Sequence, residues 1–335
     1  MQPVLTVRDL KKHFPTESGL FRRGRGVVKA VDGVSLEVGR GEVLGLVGES
    51  GSGKTTLGRC VIRAIEPTAG AVTLTRRDGR RDDVLGAGRR ALRAMRSDMN
   101  MIFQDPFSSL SPRMPVLDII GEPLRAQGLA RREIEERVAE MAAHVGLNPG
   151  QLSRYPNAFS GGQRQRICIA RALITNPVLV VADEPVSALD VSIQAQILNL
   201  LQDLREQFQL SYLFVAHDLS VVEHIADRVA VMYVGRIVEI GETSRIYRAP
   251  RHPYTEALLS AVPRPDPAAR DEAIILQGEI ASPAAPPSGC AFHPRCRYAQ
   301  PVCSVETPVL RATAAGHSAA CHFAGELALA GVVDD

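Results

Sequence analysis

Nine consecutive residues, Gly48-Glu49-Ser50-Gly51-Ser52-Gly53-Lys54-Thr55-Thr56, constrain this chain more than any other stretch. They fit G-x-x-x-x-G-K-[ST], the pattern of a loop that cradles phosphates. Upstream, Val43-Leu44-Gly45-Leu46-Val47 has the length and composition of a buried strand. Downstream, Leu57, Val61 and Ile65 repeat at helical spacing and predict a helix beginning near Lys54. The glycines let the backbone curl so that several N–H groups point inward, at the positive end of a helix dipole. In such a loop Lys54 reaches the β- and γ-phosphates of a nucleotide and the Thr55 hydroxyl sits on Mg²⁺. A glycine-rich turn that matches by chance would not need a strand before it and a helix after it.

Two short polar stretches later in the chain belong to the same chemistry. Val178 to Ala182 is a continuous apolar run that ends in Asp183-Glu184. Two carboxylates at the end of a buried strand call for a cation. Asp183 is placed to hold Mg²⁺, and Glu184 to take a proton from an attacking water. The next apolar run, Tyr212 to Ala216, stops at His217, where an imidazole can orient that water. Gln104, after Met101-Ile102-Phe103, is an amide that can reach both Mg²⁺ and the water. For His217 and Gln104 alone, an ordinary strand-end residue is the competing reading, and their order in the chain favours the site. Alternating strands and helices argue for an α/β fold with a mainly parallel sheet and its active residues at the strands' carboxyl ends.

Ser160-Gly161-Gly162-Gln163 precedes a helical stripe of Ile167, Ala170 and Ile174, with Ser160 as N-cap. This is a second helix N-terminus suited to phosphate in a chain that already has a phosphate loop, which suggests a composite site across a dimer. Between the two, Ile134, Val138, Met141 and Val145 share one helix face. Residues from about 107 to 159 therefore read as a helical subdomain inserted into the α/β core. Arg22-Arg23-Gly24-Arg25 and Arg76 to Arg81 read as exposed turns, the second as a solvated hairpin tip.

The ordered set of phosphate loop, Gln104, Ser160-Gly161-Gly162-Gln163, Asp183-Glu184, Ser187-Ala188-Leu189-Asp190 and His217 resembles the nucleotide-binding subunit of an ATP-binding-cassette (ABC) transporter. The resemblance covers nearly the whole chain. It implies a P-loop NTPase cassette at 1–249 with a β-rich edge subdomain, and a small cysteine-containing extension at 250–335. It also implies that Ser160 to Gln163 of one subunit close over ATP held by the other, with Ser187 to Asp190 as the loop between the two. Phe14 stands where the family stacks an aromatic on adenine; a core phenylalanine is the alternative. Gln104 to Met114, Ala188 to Gln196 and Gly289-Cys290-Ala291-Phe292-His293-Pro294-Arg295-Cys296 resemble the oligopeptide/dipeptide importer branch. Phe159 replaces the usual leucine before the signature and Asn157-Ala158 a more common His-Glu pair; Phe159 keeps the apolar contact. The partners implied are a second ABC ATPase, in a heterodimer, two membrane permeases and an external peptide-binding protein. The place implied is the cytoplasmic face of the inner membrane.

Composition sets limits on these readings. The 335 residues are 45% hydrophobic and 23% charged, as for a globular chain of one large or two smaller domains. Net charge is only +2, which gives no whole-molecule case for nucleic acid. No run of eighteen apolar residues is present and the start does not read as a signal peptide. A soluble ABC-type ATPase acting on DNA or ribosomes is the rival, but paired cassettes and nucleic-acid modules are missing from the sequence. A redox protein with a vestigial ATPase is a third reading, at odds with intact Lys54, Asp183, Glu184 and His217.

Of six cysteines, Cys60 and Cys168 lie in helical stretches among apolar residues and read as core. Cys290, Cys296, Cys303 and Cys321 cluster in the tail. In a cytosolic chain four such thiols argue for metal rather than disulfides, and their spacing leaves zinc and an iron–sulfur cluster open. The importer resemblance implies a [4Fe–4S] cluster. Prolines from Pro250 to Pro287 predict a linker-like segment before this tail.

Overall fold

A computed structural model describes residues 2–15, 26–262 and 273–332. The arginine cluster at Arg22 to Arg25 and the prolines Pro263, Pro265 and Pro267 lie outside the described residues.

The chain opens with two long strands, β1 (Pro3–Pro15) and β2 (Val27–Gly39), in which Val34, Leu36 and Val38 are buried at every second position. The wholly buried β3 (Val43–Val47) runs into the phosphate loop and α1 (Lys54–Val61). A hairpin of β4 (Ala69–Thr75) and β5 (Arg81–Asp83) follows, then α2 (Arg89–Met95), β6 (Met99–Ile102) and the short α3 (Pro106–Ser109). Helices α4 (Val116–Gln127), α5 (Arg131–His144) and α6 (Gly161–Leu173) come next. Then β7 (Leu179–Asp183), α7 (Val191–Phe208), β8 (Ser211–Val215), α8 (Leu219–Ile225), β9 (Arg228–Tyr233) and β10 (Arg236–Glu242) complete the alternating part. The C-terminal part holds α9 (Thr243–Arg248), α10 (Pro253–Ser260), α11 (Pro301–Val305), β11 (Arg311–Ala314) and β12 (His317–Ala319).

These elements fall into two compact units. The first comprises Met1–Leu5, Glu37–Glu42 and Thr73–Val215. Its strands β8, β7 and β6 pair in parallel in that order, and every residue of β7 and β8 is buried, as a strand covered on both faces requires. Helices α4, α5 and α6 pack on one another. The α5 face Ile134, Val138, Met141 is buried, as its period predicts, while Arg131–Glu135, Arg132–Glu136 and Glu133–Arg137 pair on the solvent side. The β4–β5 tip, Arg77 to Arg81, is exposed as a solvated turn should be, and one of its arginines also has partners. Arg77 Nη2 donates to Asn176 Oδ1 at 2.7 Å and to the Phe208 carbonyl at 3.0 Å, so one tip arginine anchors the hairpin at the end of α7.

The second unit comprises Thr6–Leu36, Val43–Val72 and Ala216–Asp335. Its strands run in the order β11-β12-β10-β9-β3, with β3 parallel to β9 and the remaining pairs antiparallel. The predicted linker is partly structure: Pro253 occupies the first turn of α10, where its missing N–H costs nothing, and Tyr254, Thr255 and Leu259 are buried. Glu239, buried in β10, accepts from the backbone N–H groups of Arg251 and His252 and bonds His317 Nε2 at 2.7 Å. One carboxylate thus fastens β12 and the start of α10 to the same strand. No helix of the described residues is long and apolar enough to cross a membrane.

Candidate nucleotide site

The second unit holds the phosphate loop. Gly48 and Gly53 have φ of 149° and 106°, in the range that L side chains avoid. A Cβ at Gly48 would lie 2.2 Å from the Met232 carbonyl oxygen, and one at Gly53 2.0 Å from that of Ala30, so neither position has room for a side chain. The helix begins at Lys54, where the sequence places it, and ends at Val61, one turn short of Ile65. Lys54 is 5% exposed, and its ammonium donates to the carbonyls of Gly48 at 2.6 Å and Glu49 at 2.9 Å. The lysine therefore holds its own loop in a ring around the helix N-terminus. No side chain caps α1, so its first-turn N–H groups face the loop that its glycines shape.

His217 belongs to the same unit and is exposed just beyond β8, where Asp218 caps α8 by accepting from Ser220 N at 2.8 Å. Phe14 lies near the end of β1 with the Lys12 ammonium 4.8 Å from its ring centroid. Next to it, His13 Nε2 bonds Asp32 at 2.9 Å, and Arg236 donates to the same carboxylate at 2.7 Å. Burial pulls the Asp32 pKa upward, but those hydrogen bonds and the Arg236 charge outweigh it and set it below the usual carboxylate value.

The first unit brings together Gln104, Asp183 and Glu184. Asp183 ends β7 and is fully buried. Glu184 follows with φ of 47°, an uncommon value for a residue with a Cβ and the kind of backbone strain found where a side chain must be aimed. Its N–H donates to the Val215 carbonyl at 2.9 Å, and its carboxylate accepts from Gln104 Nε2 at 2.8 Å. Ser187 Oγ donates to the Glu184 carbonyl at 3.1 Å, which begins the turn through Ala188, Leu189 and Asp190 into α7.

The signature segment lies in the same unit. Ser160 caps α6 in a reciprocal box: Ser160 Oγ accepts from Gln163 N at 3.4 Å, and Gln163 Oε1 accepts from Ser160 N at 3.0 Å. Ser160 and Gln163 are exposed, while Phe159 is buried in the place the sequence assigns it.

In the second unit the four tail cysteines converge. Cys290, Cys296, Cys303 and Cys321 line one cavity of about 20 Å³ with His252 and Phe292 among its walls. Burial, with the neighbouring thiols adding, pushes Cys290 and Cys296 up to about 11 and moves Cys321 in the same direction. Among the described residues no group of three or more His, Cys, Asp or Glu side chains is placed to hold a metal ion. The expected metal site thus has its four residues around one cavity without a ligand shell among them, and no step of the chemistry is assigned to it. Cys60 and Cys168 are buried in α1 and α6, as expected for core thiols.

Two residues of the nucleotide unit were not found from sequence. The Glu49 N–H donates to Tyr254 Oη at 2.8 Å, and the Glu49 carboxylate accepts both Arg295 nitrogens, Nη1 at 2.7 Å and Nη2 at 2.9 Å. These partners lie 205 and 246 positions along the chain, beyond the reach of any local pattern.

Residues 31–187 match the family described as ABC transporter, and residues 238–303 match the oligopeptide/dipeptide transporter C-terminal region. The oligopeptide transport ATP-binding protein AppF of Bacillus subtilis is 51% identical over 326 residues, spanning 96% of this chain and 98% of AppF. The di/tripeptide transport ATP-binding protein DppF of Pseudomonas aeruginosa is 48% identical over 325 residues, spanning 97% of this chain and 98% of DppF. Among solved structures, the dimeric post-hydrolysis state of the cassette MJ0796 with ADP and Pi is similar with a TM-score of 0.61. It is 26% identical and spans 71% of this chain and 98% of its own.

Proposed function

The chain belongs to the ATP-binding subunits of oligopeptide/dipeptide ABC transporters, and from that membership we propose that it hydrolyses ATP to drive the import of dipeptides or oligopeptides through membrane permeases. The observation that carries this reading is the phosphate loop, with two glycines that admit no side chain and a buried lysine folded over the turn, in a chain similar from end to end to peptide-import subunits. A soluble ATPase acting on DNA or ribosomes is not favoured, since the similarity extends through the importer-type C-terminal region.

The roles proposed for individual residues follow from their chemistry. The N–H groups from Gly48 to Thr56 and the Lys54 ammonium bind the β- and γ-phosphates, and Phe14 stacks on adenine. Thr55 and Asp183 would hold Mg²⁺, which neutralises phosphate charge and fixes the γ-phosphate for attack. A fully buried carboxylate at the end of a parallel strand suits that cation. Glu184 takes the proton of the attacking water, Gln104 fixes the Glu184 carboxylate through its amide, and His217 orients the water. Ser160, Gly161, Gly162 and Gln163 close on the ATP of a second cassette, and Ser187 to Asp190 run between the two sites. ATP favours the closed pair over the open one, and hydrolysis releases it.

The same reading assigns residues 1–249 to the cassette, about 107–159 to its helical insertion and 250–335 to the importer-type extension. The second cassette is a different chain, two permeases place the pair at the cytoplasmic face of the membrane, and an external peptide-binding protein delivers cargo. Cys290, Cys296, Cys303 and Cys321 are proposed as a [4Fe–4S] site, with zinc as the alternative; the shared cavity supports it. Anaerobically purified protein that is colourless, with zinc and no iron, would remove the cluster. The function is tested by co-purification with membrane permeases and ATP-dependent uptake of a labelled dipeptide into vesicles carrying the complex. Co-purification with ribosomes or DNA, and no uptake, would overturn it.

A further inference from the structure

An acidic side chain inside a phosphate-binding loop is an electrostatic liability. Glu49 is the first residue after Gly48, and its carboxylate would add a negative charge beside a triphosphate. The structure shows what answers that charge. Arg295 lies in the short turn between Cys290 and Cys296, and its side chain is 6% exposed. Both its terminal nitrogens grip the Glu49 carboxylate in a fork, at 2.7 and 2.9 Å. A guanidinium is charged at any physiological pH, so the fork is an ion pair. Arg295 is itself set from two sides: Nη1 reaches Tyr233 Oη at 3.5 Å, and Phe292, three residues earlier, packs at 5.4 Å from Tyr233 and 5.3 Å from Tyr254.

Glu49 is therefore held at three points. Its N–H donates to Tyr254, its carbonyl accepts from Lys54, and its carboxylate is clamped by Arg295. The residue whose carbonyl positions the phosphate-binding lysine is fixed by an arginine from the cysteine lobe.

We propose that Arg295 is a positioning residue for ATP binding: it neutralises Glu49 and holds the phosphate loop, and so makes nucleotide affinity depend on the C-terminal lobe. This rests on the reading that the phosphate loop binds ATP. Arg295 touches no substrate and acts through Glu49. Because neutralisation and position both enter, removing the arginine raises the dissociation constant for ATP and the KM, with a smaller effect on kcat.

The test uses the full-length chain for binding of a fluorescent ATP analogue, and the assembled transporter for KM and kcat. Arg295→Met is expected to weaken binding on the order of tenfold, equal to about 1.4 kcal/mol. The loss should be larger in low salt than in high salt, which a merely structural role would not produce. Arg295→Lys, with one point charge in place of a fork, should fall between wild type and Arg295→Met. Adding Glu49→Gln to Arg295→Met should recover most of the lost affinity, because the unanswered charge goes with it. Thermal unfolding of each variant separates loss of affinity from loss of fold. Wild-type affinity in Arg295→Met, or a double variant that binds no better than Arg295→Met while both remain folded, would overturn the proposal. Lys54→Ala decides the underlying reading separately: if it binds the analogue as tightly as wild type, the phosphate loop is not the ATP site. If it loses binding while Arg295→Met does not, only the role of Arg295 falls.

Discussion

Helices α1 and α6 both present an N-terminus suited to phosphate, yet they are finished in different ways. The start of α1 has no side-chain cap, and Gly53 turns in the left-handed region while Lys54 gathers the loop carbonyls. The start of α6 closes on itself through Ser160 and Gln163. The first end carries no side-chain cap and relies on glycines for its shape. The second is satisfied without a ligand and is already a stable helix start. A loop built to enclose phosphate needs strained backbone, whereas a surface that only closes over a nucleotide held elsewhere can be pre-formed and self-capped.

The most severe way to break this contrast is to put a side chain at Gly53. Gly53→Ala places a Cβ 2.0 Å from the Ala30 carbonyl oxygen at φ of 106°, so the loop must open. Binding of a fluorescent ATP analogue should fall by about 100-fold or more, the scale of losing several positioned donors. At Gly161 the nearest atom to an added Cβ is 3.8 Å away, and Gly161→Ala should leave the unfolding midpoint almost unchanged. Equal effects at the two positions would mean that the strained loop is not what distinguishes the two ends.

Turnover separates from binding at Glu184. Glu184→Gln is expected to lower ATP hydrolysis by about 10²–10⁴-fold while keeping ATP affinity, since the amide cannot take the water's proton. Hydrolysis at the wild-type rate would remove Glu184 from that role.

A third helix end sharpens the comparison because its cap titrates. In α10 the N-cap is His252, whose Nδ1 accepts from Tyr254 N at 3.1 Å. Burial lowers the His252 pKa from 6.5 to about 3, so the ring is neutral and able to accept. The folded value lies below the unfolded one. The contribution to stability is therefore complete above about pH 6.5 and is lost as pH falls toward 3. From pH 7 to pH 5 the chain should lose roughly 1–2 kcal/mol through this residue, read by denaturant unfolding at each pH. His252→Asn keeps an acceptor that does not titrate and should flatten that part of the profile.

What was legible in the sequence follows the range over which each contact is made. The signature cap is made by residues three apart, and the phosphate loop and Asp183-Glu184 are short runs whose composition carries their chemistry, so type and spacing reveal them. The packed face of α5 was readable for the same reason. The clamp on Glu49 was not, because Arg295 stands 246 positions away and an arginine between two cysteines carries no local sign of its partner. Prolines misled at Pro253, where the residue that breaks a helix interior starts one instead.

The smallest effect, and the one that bears most directly on the contrast, belongs to Ser160. Ser160→Ala removes the acceptor for Gln163 N and should cost about 1 kcal/mol of stability by denaturant unfolding. Ser160→Asp offers a better acceptor at the same N-cap and should hold or raise stability, with its charge also favoured by the helix dipole. In a composite site that added charge would face the partner's phosphates. Ser160→Asp should then keep the fold and ATP binding by the isolated chain but lower ATP-driven pairing of cassettes, measured by sedimentation with Glu184→Gln present to prevent hydrolysis. Pairing as strong as with serine would show that the self-capped end of α6 does no more than begin a helix.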